Sequence, residues 1–353
     1  MDKGFDRIVD EIKEREEQGR ELDIPEDRRQ TWMDAVSTYA NDFLDALEGR
    51  KAYESEGYDR TDEDSGFEVG EKGADMDGVL HFIGDRVDHT GLNPASGGHL
   101  GYIPGGGIPA SALGDYLAAT TNRYAGNFYA SPGAVRMENA MIRWTGQLIG
   151  YKEGFGGNLT SGGSIANLIA ILTARTAKGL KGKDLERNVV YMTPQGHHSL
   201  AKALNIACLG ECVTRKIALD RHYRMDVAAL RKQVEADVHD GLKPFLLIAN
   251  AGSTDTGAID PLSAMADTAK EHGMWFHVDA AYGGFFLLTD HGKKCMAGID
   301  RSDSVVLDPH KGLFLPYGSG IVLVKHIHRL LQANSYEANY MQDAKEQTKE
   351  YSP

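Results

Sequence analysis

Two short blocks, each closing an apolar run, constrain the fold of this chain more than any other feature. In one, Met274-Trp275-Phe276 leads into His277-Val278-Asp279-Ala280-Ala281-Tyr282-Gly283-Gly284. In the other, Val305-Val306-Leu307 leads into Asp308-Pro309-His310-Lys311-Gly312. Short apolar runs bounded by turn residues read as buried strands, and the spacing of these two is that of successive α/β units. Such proteins place their chemistry at strand ends. One strand end here offers a carboxylate, Asp279, and the other an amine, Lys311.

From about residue 155 the chain repeats this alternation. The pattern predicts helices over 165–178, 227–237 and 261–271, with another from about 199 to 208. Strands are predicted over 189–192, 245–249, 304–307 and 321–325, with one more ending at Asp279. Strands alternating with helices favour an α/β fold with a mostly parallel central sheet covered by helices. Upstream, residues 1–50 read as two helical stretches broken at Pro25. Trp32, Val36, Tyr39, Phe43 and Leu47 recur at helical spacing and form one apolar face. An acidic, glycine-containing linker is expected over 53–73, then a helix over 76–87. Residues 91–110 are rich in glycine and proline and carry His99, Tyr102 and Ile103, which reads as a pocket-lining loop. A helix over 111–123 leads to a second irregular stretch, 124–132.

Composition sets outer limits. With 353 residues, 41% of them hydrophobic, the chain can bury a full α/β core. The formal net charge of -13 argues against nucleic acid as a partner. The N-terminal twenty residues are charged throughout and do not read as a signal peptide, and no apolar run has a membrane-spanning length. Cys208, Cys212 and Cys295 are too few and too scattered for a disulfide framework or a zinc site, which points to a reducing, cytoplasmic setting.

The residue types at the strand ends suit pyridoxal 5'-phosphate. A lysine can hold its aldehyde as a Schiff base, and a buried aspartate can keep the pyridine nitrogen protonated. His197 and His198 follow the strand at 189–192, and either imidazole could stack on such a ring and move protons. Spacing does not choose between them. The turn Ser161-Gly162-Gly163-Ser164 opens a helix whose amides could hold an anion, with Ser304 and His310 as further phosphate donors.

Taken in order, Gln195-Gly196-His197, the HVDAAY block and the DPHK block resemble the pyridoxal-phosphate-dependent group II amino-acid decarboxylases over about residues 75–335. The resemblance implies a type I aminotransferase fold and an obligate homodimer with interlocking N-terminal helices. It also implies an activity, the decarboxylation of an L-amino acid, aromatic by preference, to the amine and CO2. Lys311 would carry the Schiff base, Asp279 would pair with the pyridine nitrogen, and Ala281 would lie beneath the ring. The stacking histidine would be His197. Gly163 and Ser164 would form the phosphate turn, with Ser304 and His310 near the same group. Asn250 would lie near the cofactor, and Tyr102 and Ile103 would line the substrate pocket, with Phe128 and Tyr129 nearby. Asp308 replaces a common asparagine, a change treated as minor, and Tyr336 or Tyr340 would be the proton-donating loop tyrosine. The expected organisation is a helical, dimer-forming segment with its linker over 1–75, a cofactor-binding large domain over 76–335, and a loop or tail over 336–353. The family's C-terminal small domain is missing from this pattern, so the chain reads as a fragment. Other readings on the same scaffold are a different carbon–carbon lyase, an aldehyde-forming enzyme, an aminotransferase, or an inactive truncated chain.

Overall fold

A computed structural model describes residues 3–20, 23–55, 70, 73–126 and 128–335. The chain divides into two compact units, Met1–Gly101 and Tyr102–Pro353.

In the first unit, helices α1 (Lys3–Gly19) and α2 (Glu26–Asp45) flank Pro25, whose fixed φ of -57° suits the start of α2. Trp32, Tyr39, Phe43 and Leu47 are half-buried, whereas Val36 is exposed. The Tyr39 ring packs on Gly84 and its hydroxyl bonds to Asp88. Burial and the Asp88 carboxylate together push this phenol up to about 12. Helix α3 (Met76–Ile83) is capped by Asp75, which accepts from the Gly78 amide at 2.7 Å. The helix expected over 76–87 changes character at Gly84 and continues as a π-helical stretch, Gly84–Asp88. Strand β1 (Tyr53–Glu54) pairs antiparallel with β2 (Gly91–Leu92). Residues 76–101, expected with the large domain, thus belong with the N-terminal segment. The linker expected over 53–73 lies mostly outside the described residues.

The second unit opens with α4 (Pro109–Thr121) and α5 (Pro132–Ile149). Helix α5 buries Val135, Ile142 and Ile149, one heptad apart. It was not anticipated, because glycines and polar residues dilute that stripe. The alternating region then runs β3 (Gly156–Thr160), α6 (Gly163–Ala177), β4 (Asn188–Met192), α7 (His198–Ile206), β5 (Val213–Lys216) and α8 (Val227–His239). It continues with β6 (Lys243–Asn250), α9 (Leu262–Glu271), β7 (Trp275–Asp279), α10 (Asp290–Cys295), β8 (Ser304–Leu307), α11 (Pro309–Gly312), β9 (Gly320–Val324) and α12 (Ile327–Asn334).

Seven strands form one sheet in the order β3-β9-β8-β7-β6-β4-β5. Only β9 runs against the rest, pairing antiparallel with β8 and β3. The period-2 alternation of strands sorts side chains to two faces. Phe276, Val278, Val305 and Leu307 join the core on one face. Val306 and Trp275 join Ala166, Ala170 and Leu200 of α6 and α7 on the other. Strand β3 was missed because it begins Gly156-Gly157. Those glycines are required by closeness: a Cβ on Gly157 would stand 2.3 Å from the Val322 carbonyl oxygen, and one on Gly156 would stand 2.6 Å from the Ile327 side chain.

Candidate active site

The site forms at the carboxyl edge of the sheet, on the face covered by α6 and α7. Asp279 ends β7, in register with Asn250 at the end of β6 and with Val306 of β8. The two strand-end blocks are tied by main-chain bonds. The Ala280 amide donates to the Val306 carbonyl at 3.0 Å, and the Asp308 amide to the Ala281 carbonyl at 3.1 Å. These bonds set the Lys311 turn beside Asp279.

Lys311 lies on the short helix α11, and its ammonium pairs with Asp308 Oδ2 at 2.9 Å. Asp308 is almost fully buried, and burial drives its carboxyl upward against the opposing pull of Lys311. Its Oδ1 has no hydrogen-bond partner among the described residues. The N-terminus of α6 abuts this carboxylate: a Cβ on Gly163 would meet Asp308 Oδ2 at 2.8 Å and Ala281 Cβ at 3.2 Å. Gly162 sits at φ 130°, a conformation natural to glycine, and its Cβ position faces His310 Cε1 at 3.7 Å. The His310 Nδ1–H donates to the Ser319 carbonyl. Ser164 follows in the first turn of α6, whose leading amides the helix itself cannot satisfy.

His197 caps α7, its Nδ1 accepting from the Ser199 amide at 3.3 Å and standing 2.8 Å from Ser199 Oγ. Burial pushes this imidazole down, and His198, whose ring centre is 4.0 Å away, adds to that. Asn167 Nδ2 reaches Asp279 Oδ2 at 3.1 Å and Ser199 Oγ at 3.4 Å, and this hydroxyl lies beside His197 Nδ1, which places His197 near Asp279.

Sequence reading and structure therefore agree in bringing Lys311, Asp279, His197, Ala281, Gly163, Ser164 and His310 to one edge. Asn250 lies at that edge too, with its Nδ2 donating to Thr193 Oγ1 at 3.1 Å and Asp260 Oδ2 at 3.3 Å. Tyr102 and Ile103 sit at the start of a loop anchored just beyond the lysine. The Ile108 amide donates to the Phe314 carbonyl at 2.9 Å, and a Cβ on Gly105 would touch the Phe314 ring at 3.2 Å. Tyr129 is exposed, and the Arg136 guanidinium lies over the Phe128 ring. Tyr336 and Tyr340 lie outside the described residues.

Ser304 is a correction. It stands at the start of β8, completely buried, four residues before Asp308, or roughly 13 Å along an extended strand. Its hydroxyl is already engaged by Trp275 Nε1 and His277 Nδ1, both at 2.9 Å. A phosphate at the α6 N-terminus is beyond its reach.

Two residues went unnoticed in the sequence. Asn167, buried in α6, donates to Asp279 Oδ2 at 3.1 Å, and His277 donates to Asn167 Oδ1 at 2.9 Å. A polar residue inside the apolar helical run Ile165-Ala166-Asn167-Leu168-Ile169 was the available signal.

One reversed strand beside the lysine strand, in an otherwise parallel helix-covered sheet, defines the type I aminotransferase class of fold. Comparison narrows this. Residues 100–352 match the pyridoxal-dependent decarboxylase conserved domain. An aromatic-L-amino-acid decarboxylase of Bacillus atrophaeus is 35% identical over 276 residues, covering 78% of this chain and 57% of the relative. Tryptophan decarboxylase TDC2 of Camptotheca acuminata is 32% identical over 252 residues, covering 69% and 51%. The crystal structure of Oryza sativa TDC with PLP and tryptamine superposes with a TM-score of 0.81 at 25% identity, covering 91% of this chain and 68% of that one. The chain belongs to the pyridoxal-dependent decarboxylase family. It spans about half the length of the curated relatives it matches.

Proposed function

We propose that the chain carries the cofactor site of a pyridoxal-phosphate-dependent decarboxylase that converts an L-amino acid, aromatic by preference, to its amine and CO2. The observation that carries this reading is the meeting of Lys311, Asp279 and His197 at the N-terminus of α6. The residues fit the cofactor. Asp308 Oδ1 is buried without a partner among the described residues, beside a cradle that a single methyl on Gly163 would obstruct. Lys311 would hold the aldehyde, Asp279 the ring nitrogen, His197 the ring face, and Gly163, Ser164 and His310 the phosphate. When bound, pyridoxal phosphate supplies a carbonyl for amine attachment and a ring that accepts electrons from the carbon losing CO2.

The chain's own groups prepare that chemistry. Asp308 keeps the Lys311 amine in place through a 2.9 Å ion pair. Two acceptor contacts from Ser199 leave His197 Nδ1 without a proton, so the neutral ring carries its hydrogen on Nε2. Asp279 takes hydrogen bonds on both oxygens, from Asn167 Nδ2 at 3.1 Å and from the Ala281 amide at 3.2 Å, which fixes its orientation. The aromatic preference rests on the names of the two relatives and on Tyr102 in the loop beside Phe314.

The proposed assembly is a homodimer. Phe5, Ile8 and Ile12 lie exposed along one face of α1, as do Met137, Met141 and Trp144 along α5. Uncovered stripes of this kind mark association surfaces. Three unpaired cysteines support a reducing, cytoplasmic setting.

The test begins with pyridoxal phosphate added to the purified chain, borohydride reduction and peptide mapping. A pyridoxyl group on Lys311, absent after Lys311→Ala, is expected. A panel of amino acids should then release CO2 and amine without 2-oxo acid. Trapping at another lysine would overturn the site assignment, and formation of 2-oxo acid instead of CO2 would overturn the reaction.

A further inference from the structure

We infer that Asn167 is a positioning residue: a buried hydrogen-bond chain from Trp275 passes through it, holds Asp279 as a hydrogen-bond acceptor and turns the Ser199 hydroxyl toward His197 Nδ1. Trp275 Nε1–H donates to Ser304 Oγ at 2.9 Å, and Ser304 Oγ stands 2.9 Å from His277 Nδ1. His277 Nε2 stands 2.9 Å from Asn167 Oδ1. Asn167 Nδ2 reaches Asp279 Oδ2 at 3.1 Å and Ser199 Oγ at 3.4 Å, and Ser199 Oγ stands 2.8 Å from His197 Nδ1. Trp275, Asn167, Ser199, His277, Asp279 and Ser304 are all buried.

The direction of this chain follows from its ends. An indole N–H only donates, and an ionised carboxylate only accepts. Ser304 Oγ receives the indole hydrogen and has its own hydrogen left for His277 Nδ1. His277 therefore carries its proton on Nε2 and gives it to Asn167 Oδ1. Burial keeps this imidazole neutral, pushed down to about 4. With Oδ1 so occupied, Asn167 must turn its amide toward Asp279; the flipped amide would set oxygen against carboxylate. The second amide hydrogen goes to Ser199 Oγ, whose hydroxyl is left to donate to His197 Nδ1. Asp279 is held as the acceptor, and the Ser199 hydroxyl is turned to join the Ser199 amide in donating to His197 Nδ1, by one residue that touches neither substrate nor reacting atoms.

This inference rests on the cofactor reading, so its test separates the two. Pyridoxal phosphate and its 1-deaza analogue, which lacks the ring nitrogen, are titrated into the full chain by fluorescence. Asn167→Ala is expected to weaken pyridoxal phosphate binding roughly ten- to hundred-fold, the loss of one hydrogen bond to a charged group. The deaza analogue, with no nitrogen for Asp279 to pair with, should bind the variant nearly as well as the parent. Equal losses for both ligands would reduce Asn167 to a packing residue and overturn the inference. Failure of the parent chain to bind pyridoxal phosphate at all would overturn the cofactor reading instead. The proton positions are tested without any cofactor. In the parent at neutral pH, 15N–1H spectra should show His277 and His197 protonated at Nε2 only. In His277→Phe, which keeps a ring in that space, the Asn167 amide loses the donor that fixes its sense, and its side-chain 15N–1H signals should shift or split while the Ser199 amide keeps His197 protonated at Nε2. An Nδ1–H His277 in the parent, or unchanged Asn167 amide signals in the variant, would refute the proposed direction.

Discussion

Gly163→Ala tests whether the α6 N-terminus and the lysine turn form one rigid cradle. The added methyl would stand 2.8 Å from Asp308 Oδ2, 3.2 Å from Asp308 Oδ1 and 3.2 Å from Ala281 Cβ. Asp308 cannot swing aside without giving up its 2.9 Å ion pair with Lys311. Ala281 is fixed by its amide bond to Asp279 and its carbonyl bond from Asp308. Overpacking of this kind costs about 1–3 kcal/mol. Alanine in place of a helical glycine returns at most about 1 kcal/mol. With that gain taken in full, the net is a loss of up to about 2 kcal/mol in the cofactor-free chain, read from urea unfolding midpoints at constant slope. Asp308→Ala removes the two oxygens that clash, so the double variant should recover about 1 kcal/mol or more relative to the sum of the singles. Strict additivity in the double variant would refute the close approach of α6 to the lysine turn.

Asp237→Ala should be the most damaging change away from the site. Asp237 is buried and accepts from Arg215 Nη2 at 2.6 Å, Tyr191 Oη at 3.0 Å and Gln233 Nε2 at 3.1 Å. Its loss strands the buried Tyr191 hydroxyl, while water reaches the partly exposed guanidinium, at a cost of about 1–3 kcal/mol in urea unfolding; a cost well below 1 kcal/mol would mean that solvent reaches the whole cluster. Stability should also depend on pH through His277. Its folded value of about 4 lies below the ordinary imidazole value near 6.5, so the unfolded chain takes the proton first. This contribution is complete above pH 6.5 and is lost as pH falls toward 4. Asp260, Asp303 and Asp308, raised by burial, act in the opposite sense and gain stability for the fold as pH falls. His277→Gln should therefore flatten or invert the acid limb of a stability–pH curve between 6.5 and 4, and an unchanged limb would show that another group carries it.

The large unit was legible because its strands are both short and apolar. Each expected strand and helix from 165 onward appears within a few residues of its expected ends, since the period-2 and period-3.6 signals there are strong. Where a strand needed glycine for close packing, as at Gly156 and Gly157, the same rules hid it. The candidate site residues were legible for a related reason. Lysine, aspartate and histidine at the ends of buried strands conflict with burial unless something pairs with them, and that conflict is visible in one dimension.

What pairs with them is not visible in one dimension, and Ser304 shows why. Its position in the lysine strand suggested a phosphate donor, yet alternation along β8 puts Ser304, Val306 and Asp308 on one face at increasing distance toward the carboxyl edge. Across the strand pair, Ser304 stands opposite His277, and Val306 opposite Asp279. The serine therefore serves the histidine two residues behind the aspartate rather than the cradle in front of it. Register alone could have assigned this, because Trp275, His277 and Asp279 share a face by the same alternation. The partner from α6 could not have been assigned in this way. Asn167 reaches Asp279 across 112 residues of chain, and only the packing of α6 on the sheet shows that a lone polar residue in an apolar helix faces the strand-end carboxylate.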